Sequence, residues 1–130
     1  MKIMVCYNSS KQASVALSKA KEWAMKLDAE IILVTSFITE DRFHEKDIKA
    51  AQESLVKAKR ALENDNLSCS VHLSFRGLEP GEDLLLYAKE RDVDAIFIGI
   101  RQRSKVGKLL LGSVAQHLIL NAECPVITVR

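Results

Sequence analysis

Apolar residues along this chain fall into five short runs, with stretches of helical periodicity between them. Ile3 to Tyr7 is the first run, and it stops at Asn8-Ser9-Ser10, a turn followed by a helix cap. Ala13, Ala16, Leu17, Ala20, Ala24 and Leu27 then recur on one face, which predicts an amphipathic helix over 11–27. Ile31 to Phe37 reads as a second strand. The polar stretch TEDRFHEK leads into a second helix with Ile48, Ala51, Leu55, Ala58 and Leu62 on its apolar face. Cys69, Val71, Leu73 and Phe75 alternate with Ser70, His72 and Ser74, a third strand with one face less buried. Pro80 and Gly81 open a third helix that runs to about Arg91, and Ala95 to Ile100 is another fully apolar strand. A basic loop and a fourth helix follow, and Pro125 to Val129 forms the fifth strand.

Strands and helices alternate throughout. That order predicts an α/β fold, an open five-stranded parallel sheet with helices on both faces, as one domain over residues 1–130. If the strand at 125–129 lies at an edge, it can pair with its counterpart in a second copy and give a two-fold homodimer. In open parallel sheets ligands bind beyond the carboxyl ends of the strands, where the strand order reverses. Two loops have suitable chemistry for that place: Asn8-Ser9-Ser10 and the stretch GIRQRSKVGKLLLGS, residues Gly99 to Ser113.

The second loop holds three glycines and four cations, Arg101, Arg103, Lys105 and Lys108, and no acid occurs from Ala95 to Ala122. Gly99 ends a strand, where a missing side chain permits close approach of a ligand or an unusual dihedral. Gly112-Ser113 sits where the last helix begins, with free backbone N–H groups, the positive end of the helix dipole and a serine hydroxyl. A phosphate or polyphosphate suits that environment; solvated loop cations and turn glycines are the plainer reading of the same residues. The spacing is not that of a P-loop, because Leu109 stands where Ser or Thr is required, and no tight GxGxxG follows the first strand.

Bulk composition narrows the class. With 130 residues, 48% hydrophobic and 28% charged, the chain can bury one core. A net charge of +2 gives no general affinity for nucleic acid, and the basic loop has no aromatic platform beside it. Cys6, Cys69 and Cys124 lie in or beside apolar runs without metal-ligand spacing, which favours reduced, buried thiols in a cytoplasmic protein. The start, MKIMVCYNSS, turns polar too soon for a signal peptide, and no apolar run approaches the about 20 residues that a membrane span needs.

These residues resemble the universal stress protein family. Its signature is Gly, two residues, Gly, nine residues, then Gly and Ser or Thr; here Gly99, Gln102, Gly112 and Ser113 occupy those positions. VCYNSS, DAIFIGI and CPVITV are similar to the family's first, fourth and last strands, so the resemblance spans essentially the whole chain. It implies a Rossmann-like α/β sandwich of the kind shared with adenine nucleotide alpha hydrolases. It also implies a homodimer and ATP or another adenine nucleotide such as AMP, with or without magnesium, between the two loops as a structural or signalling ligand in a stress response. By position, Asn8, with Tyr7 before it, replaces the aspartate that meets the nucleoside. Ser36 falls where an apolar residue flanks adenine. Gly99, Gly112, Ser113 and Val114 match the phosphate and ribose contacts, with Arg101 and Arg103 among them. Three departures touch the ligand: Asn8 removes a charge, Ser36 adds a hydroxyl, and Gln102 puts a side chain where backbone approaches phosphate.

Enzymatic chemistry has little to stand on. His44, His72 and His117 are not adjacent to a Ser or Cys with an orienting acid, which leaves no triad; slow ATP hydrolysis stays an alternative, with no residue that stands out as its base. The YNSSKQAS turn lacks the glycines of an adenylating enzyme's loop. The remaining alternative is a dimeric protein-interaction module of the same fold that has lost its nucleotide. Trp23, off the helical stripe, is either a contact residue for a partner or packing at the margin of the core.

Overall fold

The computed structural model describes residues 1–38, 45–101 and 111–130. In chain order the elements are β1 (Lys2–Cys6), α1 (Lys11–Leu27), β2 (Glu30–Ser36), α2 (Glu45–Asn64), β3 (Cys69–Ser74), α3 (Pro80–Glu90), β4 (Ala95–Gly99), α4 (Ser113–Asn121) and β5 (Val126–Val129). All neighbouring strands are parallel, in the order β3-β2-β1-β4-β5. The chain therefore builds outward from β1 to one edge, returns, and builds outward through β4 to the other. The reversal lies between β1 and β4, and β5 is an edge strand.

Alternate residues of each central strand feed two separate cores. Ile3, Val5, Ile31, Leu33 and Phe97 meet Ala16, Ala20 and Ala24 of α1 and Leu55, Ala58 and Leu62 of α2. Met4, Cys6, Ile32, Val34, Ile96 and Ile98 meet Leu84 and Ala88 of α3 and Ala115 and Leu118 of α4. Each large apolar side chain so buried contributes roughly 1.5–3 kcal/mol. Burial on both faces explains why the strands read as continuous apolar runs instead of alternating ones. The two edge strands are the exceptions: Ser70 to Leu73 of β3 are half-buried, and in β5 Val129 alone is fully buried.

The helix ends follow local chemistry. Ser10 caps α1, its Oγ accepting from Ala13 N at 3.1 Å, and Asp28 ends that helix in the left-handed region at φ 53°. Pro80 opens α3 at its first position. The buried stripe of α1 is made of alanines, Ala13, Ala16, Ala20 and Ala24, and it brings the helix axis close to the sheet. Trp23 is 41% exposed and sets its ring edge-on against the buried Phe97, 5.3 Å between centroids, so it closes the margin of the core.

Candidate functional site

Beyond the carboxyl ends of β1 and β4, at the reversal of strand order, lies a cleft of about 740 Å³. That size and position suit a small-molecule ligand. Tyr7, Asn8, Ser36, Gly99, Arg101, Gly112, Ser113 and Val114, all singled out from the sequence, line it together. Arg103 lies outside the described residues, as do Gln102, Lys105 and Lys108 of the basic loop, and His44. Cys6, Val34, Phe37, Leu84 and Ile98 add apolar wall.

The loop after β1 is held in place by its neighbours. Tyr7 N donates to Val34 O at 2.9 Å, and the Thr35 hydroxyl donates to Tyr7 O at 2.6 Å. Asn8 Oδ1 accepts from Ser10 N at 3.0 Å, an Asx turn leading into the cap of α1. That bond occupies the carbonyl end of the Asn8 side chain. Its amide nitrogen, a donor, is the end left to meet a ligand.

Two glycines of the signature have different physical reasons. A Cβ on Gly99 would stand 2.3 Å from Gln12 O and 2.4 Å from Gln12 C, backbone atoms of α1. The side chain is missing there because the helix crosses the strand end, a constraint that differs from the ligand approach or unusual dihedral considered from sequence. A Cβ on Gly112 would meet nothing within 4 Å among the described residues. Gly112 has an ordinary φ of −67°, precedes α4 as its N-cap and supplies no capping side chain. Helical bonding starts with Gln116 N donating to Gly112 O at 3.0 Å, so the amides of Ser113, Val114 and Ala115 precede the first helical donor. These amides and the exposed Arg101 border the same cleft.

Ser36 is committed elsewhere than expected. Its hydroxyl donates to Oδ2 of Asp83, a fully buried carboxylate on α3. Arg76 Nε donates to the other oxygen at 2.6 Å, and Arg76 also reaches Glu90 at 2.5 Å and lies over the Tyr87 ring at 4.2 Å. The buried Ser74 hydroxyl faces the same carboxylate without the geometry of a full hydrogen bond. Burial pushes the Asp83 carboxyl up, but Ser36, Ser74 and Arg76 together outweigh it and hold the group below its ordinary range. Sequence reading passes over Asp83 and Phe37. The available signal for Asp83 was an acid inside the stripe Gly81, Asp83, Leu84 and Ala88 that α3 buries.

Nucleophiles and bases are poorly placed. Burial pushes the Cys6 thiol up to about 12 and Cys69 up to about 11, and raises Cys124 as well; all three are free thiols. His72 is lowered by burial and by Arg91, and His117 packs against Gly81; neither lines the cleft. Among the described residues no group of three or more His, Cys, Asp and Glu side chains could hold a metal ion. No helix among them is long and apolar enough to cross a membrane.

The model of the universal stress protein family matches residues 1–130, the whole sequence. The chain belongs to the universal stress protein family. A universal stress protein from Archaeoglobus fulgidus has the same fold with a TM-score of 0.87 and 36% identity, covering 99% of this chain and 97% of that one. The universal stress protein from Archaeoglobus fulgidus in complex with dAMP gives 0.81 and 32%, covering 99% and 96%. A Mycolicibacterium smegmatis universal stress protein is 48% identical over 54 residues, 42% of this chain and 42% of that one, so the match spans under half of that relative. Cleft, strand reversal and helix N-terminus thus sit in a universal stress protein fold whose relatives include one in complex with an adenine nucleotide.

Proposed function

We propose that this universal stress protein binds an adenine nucleotide, ATP or AMP, in the cleft between β1 and β4 and uses it as a structural or signalling ligand. The observation that carries this reading is Gly112: space left open by the described residues where its side chain would be, next to uncapped amides at the start of a nine-residue helix, inside the cleft. The complex of a relative 32% identical with dAMP supports it. Phosphate oxygens would accept from the amides of Ser113 and Val114, aided by the helix dipole, the Ser113 hydroxyl and the Arg101 charge. The Asn8 amide would donate to a ribose hydroxyl. Val34, Ser36 and Phe37 would flank the base. Magnesium, if it accompanies ATP, would ride on phosphate oxygens and water.

Among the described residues of the cleft none is placed to activate water, which supports a ligand that is held in preference to one that is turned over. Three free thiols fit a reducing, cytoplasmic setting. The outer edge of β5, which no strand among the described residues pairs, and Leu120 of α4, 80% exposed, support a homodimer formed through residues 125–129. The test is whether AMP, ADP or ATP raises the unfolding temperature of the protein, and whether Gly112→Val removes that rise while keeping the fold.

A further inference from the structure

We propose that the outer face of α2 is a contact surface for a second copy of this chain, the two helices lying antiparallel about a two-fold axis at Val56. The contact is separate from nucleotide binding and from the pairing of β5.

Helix α2 turns Ala51, Leu55, Ala58 and Leu62 toward the sheet. On its opposite side Lys49, Glu53, Val56, Arg60 and Glu63 are exposed and recur every three or four residues, so they form one seam. Val56, 43% exposed, stands at the centre of that seam. Beside it is a shallow hollow of about 420 Å³ lined by Gln52, Glu53, Val56, Lys57 and Arg60. Every one of these residues belongs to α2. Among the described residues the hollow therefore has one wall, and a second helix laid along α2 supplies the other.

Charge identifies that helix. Lys49, Glu53, Arg60 and Glu63 make no ion pair among the described residues. Lys49 and Glu63 stand about two turns before and after Val56, and Glu53 and Arg60 about one turn before and after it. An antiparallel copy crossing at Val56 sets valine on valine, Glu53 against Arg60 and Lys49 against Glu63, each ion pair twice by symmetry. A parallel copy in register sets every charge against its own kind. Moving the antiparallel crossing half a turn either way sets Lys49 against Arg60 or Glu53 against Glu63. Attraction in one arrangement and repulsion in the others select both orientation and register. Helix α2 packs on β3, at the opposite edge of the sheet from β5, so the contact leaves β5 free. One helix pair falls short of the roughly 1,200 Å² of a standard stable interface, and exposed ion pairs are screened by salt. The association is therefore weak and salt-sensitive.

The experiment is sedimentation equilibrium of the full chain at micromolar to millimolar concentration, in low and high salt, for the native chain, Glu53→Arg, Arg60→Glu and the double variant. Urea unfolding checks that these exposed substitutions leave the fold intact. The native chain should show a concentration-dependent doubling of mass that weakens in high salt. Each single reversal should weaken that step by about tenfold, because two of the four ion pairs become repulsive. The double variant exchanges the partners and should restore it. Val56→Cys, mildly oxidised, should give a disulfide between the two introduced thiols, found by mass mapping and lost when Glu53→Arg is added. No doubling in the native chain overturns the proposal. A doubling that both single reversals leave unchanged belongs to another surface such as β5, and overturns it too. So does a folded double variant that associates no better than the single ones.

Discussion

Gly99 at the end of β4 and Gln12 in the first turn of α1 stand so close that a Cβ on the glycine would lie 2.3 Å from the Gln12 carbonyl oxygen. The contact is with backbone, so no side-chain rotation relieves it. Gly99→Ala is expected to cost about 3 kcal/mol through displacement of the helix. Gly112→Ala, at the next glycine of the signature, meets nothing within 4 Å among the described residues and should stay within about 1 kcal/mol of the native chain. Urea unfolding of the two variants checks the contrast. Equal losses would mean that the two glycines are kept for the same reason.

Asp83 makes a second prediction, on pH. Its folded-state pKa lies below the ordinary value of 3.8 because contacts from Ser36, Ser74 and Arg76 overcome the effect of burial. A depressed carboxyl stabilises the fold above its unfolded pKa, and that stability is lost as pH falls from 3.8 through the lower folded value. Asp83→Asn cannot titrate. The stability gap between native chain and variant should be constant near neutral pH and should shrink below about pH 4. Urea midpoints at about pH 7 and about pH 3 measure it.

Thiol chemistry gives a third. Cys6 and Cys69 are buried with pKa values pushed up to about 12 and about 11, whereas Cys124 is half-buried. Iodoacetamide at neutral pH should modify Cys124 first and reach Cys6 and Cys69 only as fast as the protein opens. Mass mapping of the labelled sites over time decides; early labelling of Cys6 would mean that the floor of the cleft opens to solvent.

Much of this architecture is legible without coordinates, for a local reason. The alanine stripe of α1 and the apolar runs at 31–36 and 95–99 each carry their own periodicity, and a sheet buried on both faces leaves an unmistakable pattern. The cleft residues Asn8, Gly112 and Ser113 were legible because strand ends and helix starts announce themselves by residue type. What escaped depends on distant partners. Ser36 and Asp83 are 47 positions apart, and only the packing of α3 on the sheet joins them. Gly99 lines the cleft as its place at a strand end suggests, but nothing in its neighbourhood along the chain reports the crossing helix that leaves no room for a side chain.

Ligand-dependent unfolding addresses nucleotide binding itself. The unfolding temperature would be followed with AMP, ADP and ATP, each with and without magnesium, for the native chain and for Gly112→Val. At 100 times its dissociation constant a ligand stabilises the native state by about 2.7 kcal/mol, enough to raise the midpoint by several degrees. The expected result is such a rise for the native chain and none for a folded Gly112→Val. No rise with any of the three at millimolar concentration, or an equal rise in both proteins, would contradict a nucleotide held at Gly112.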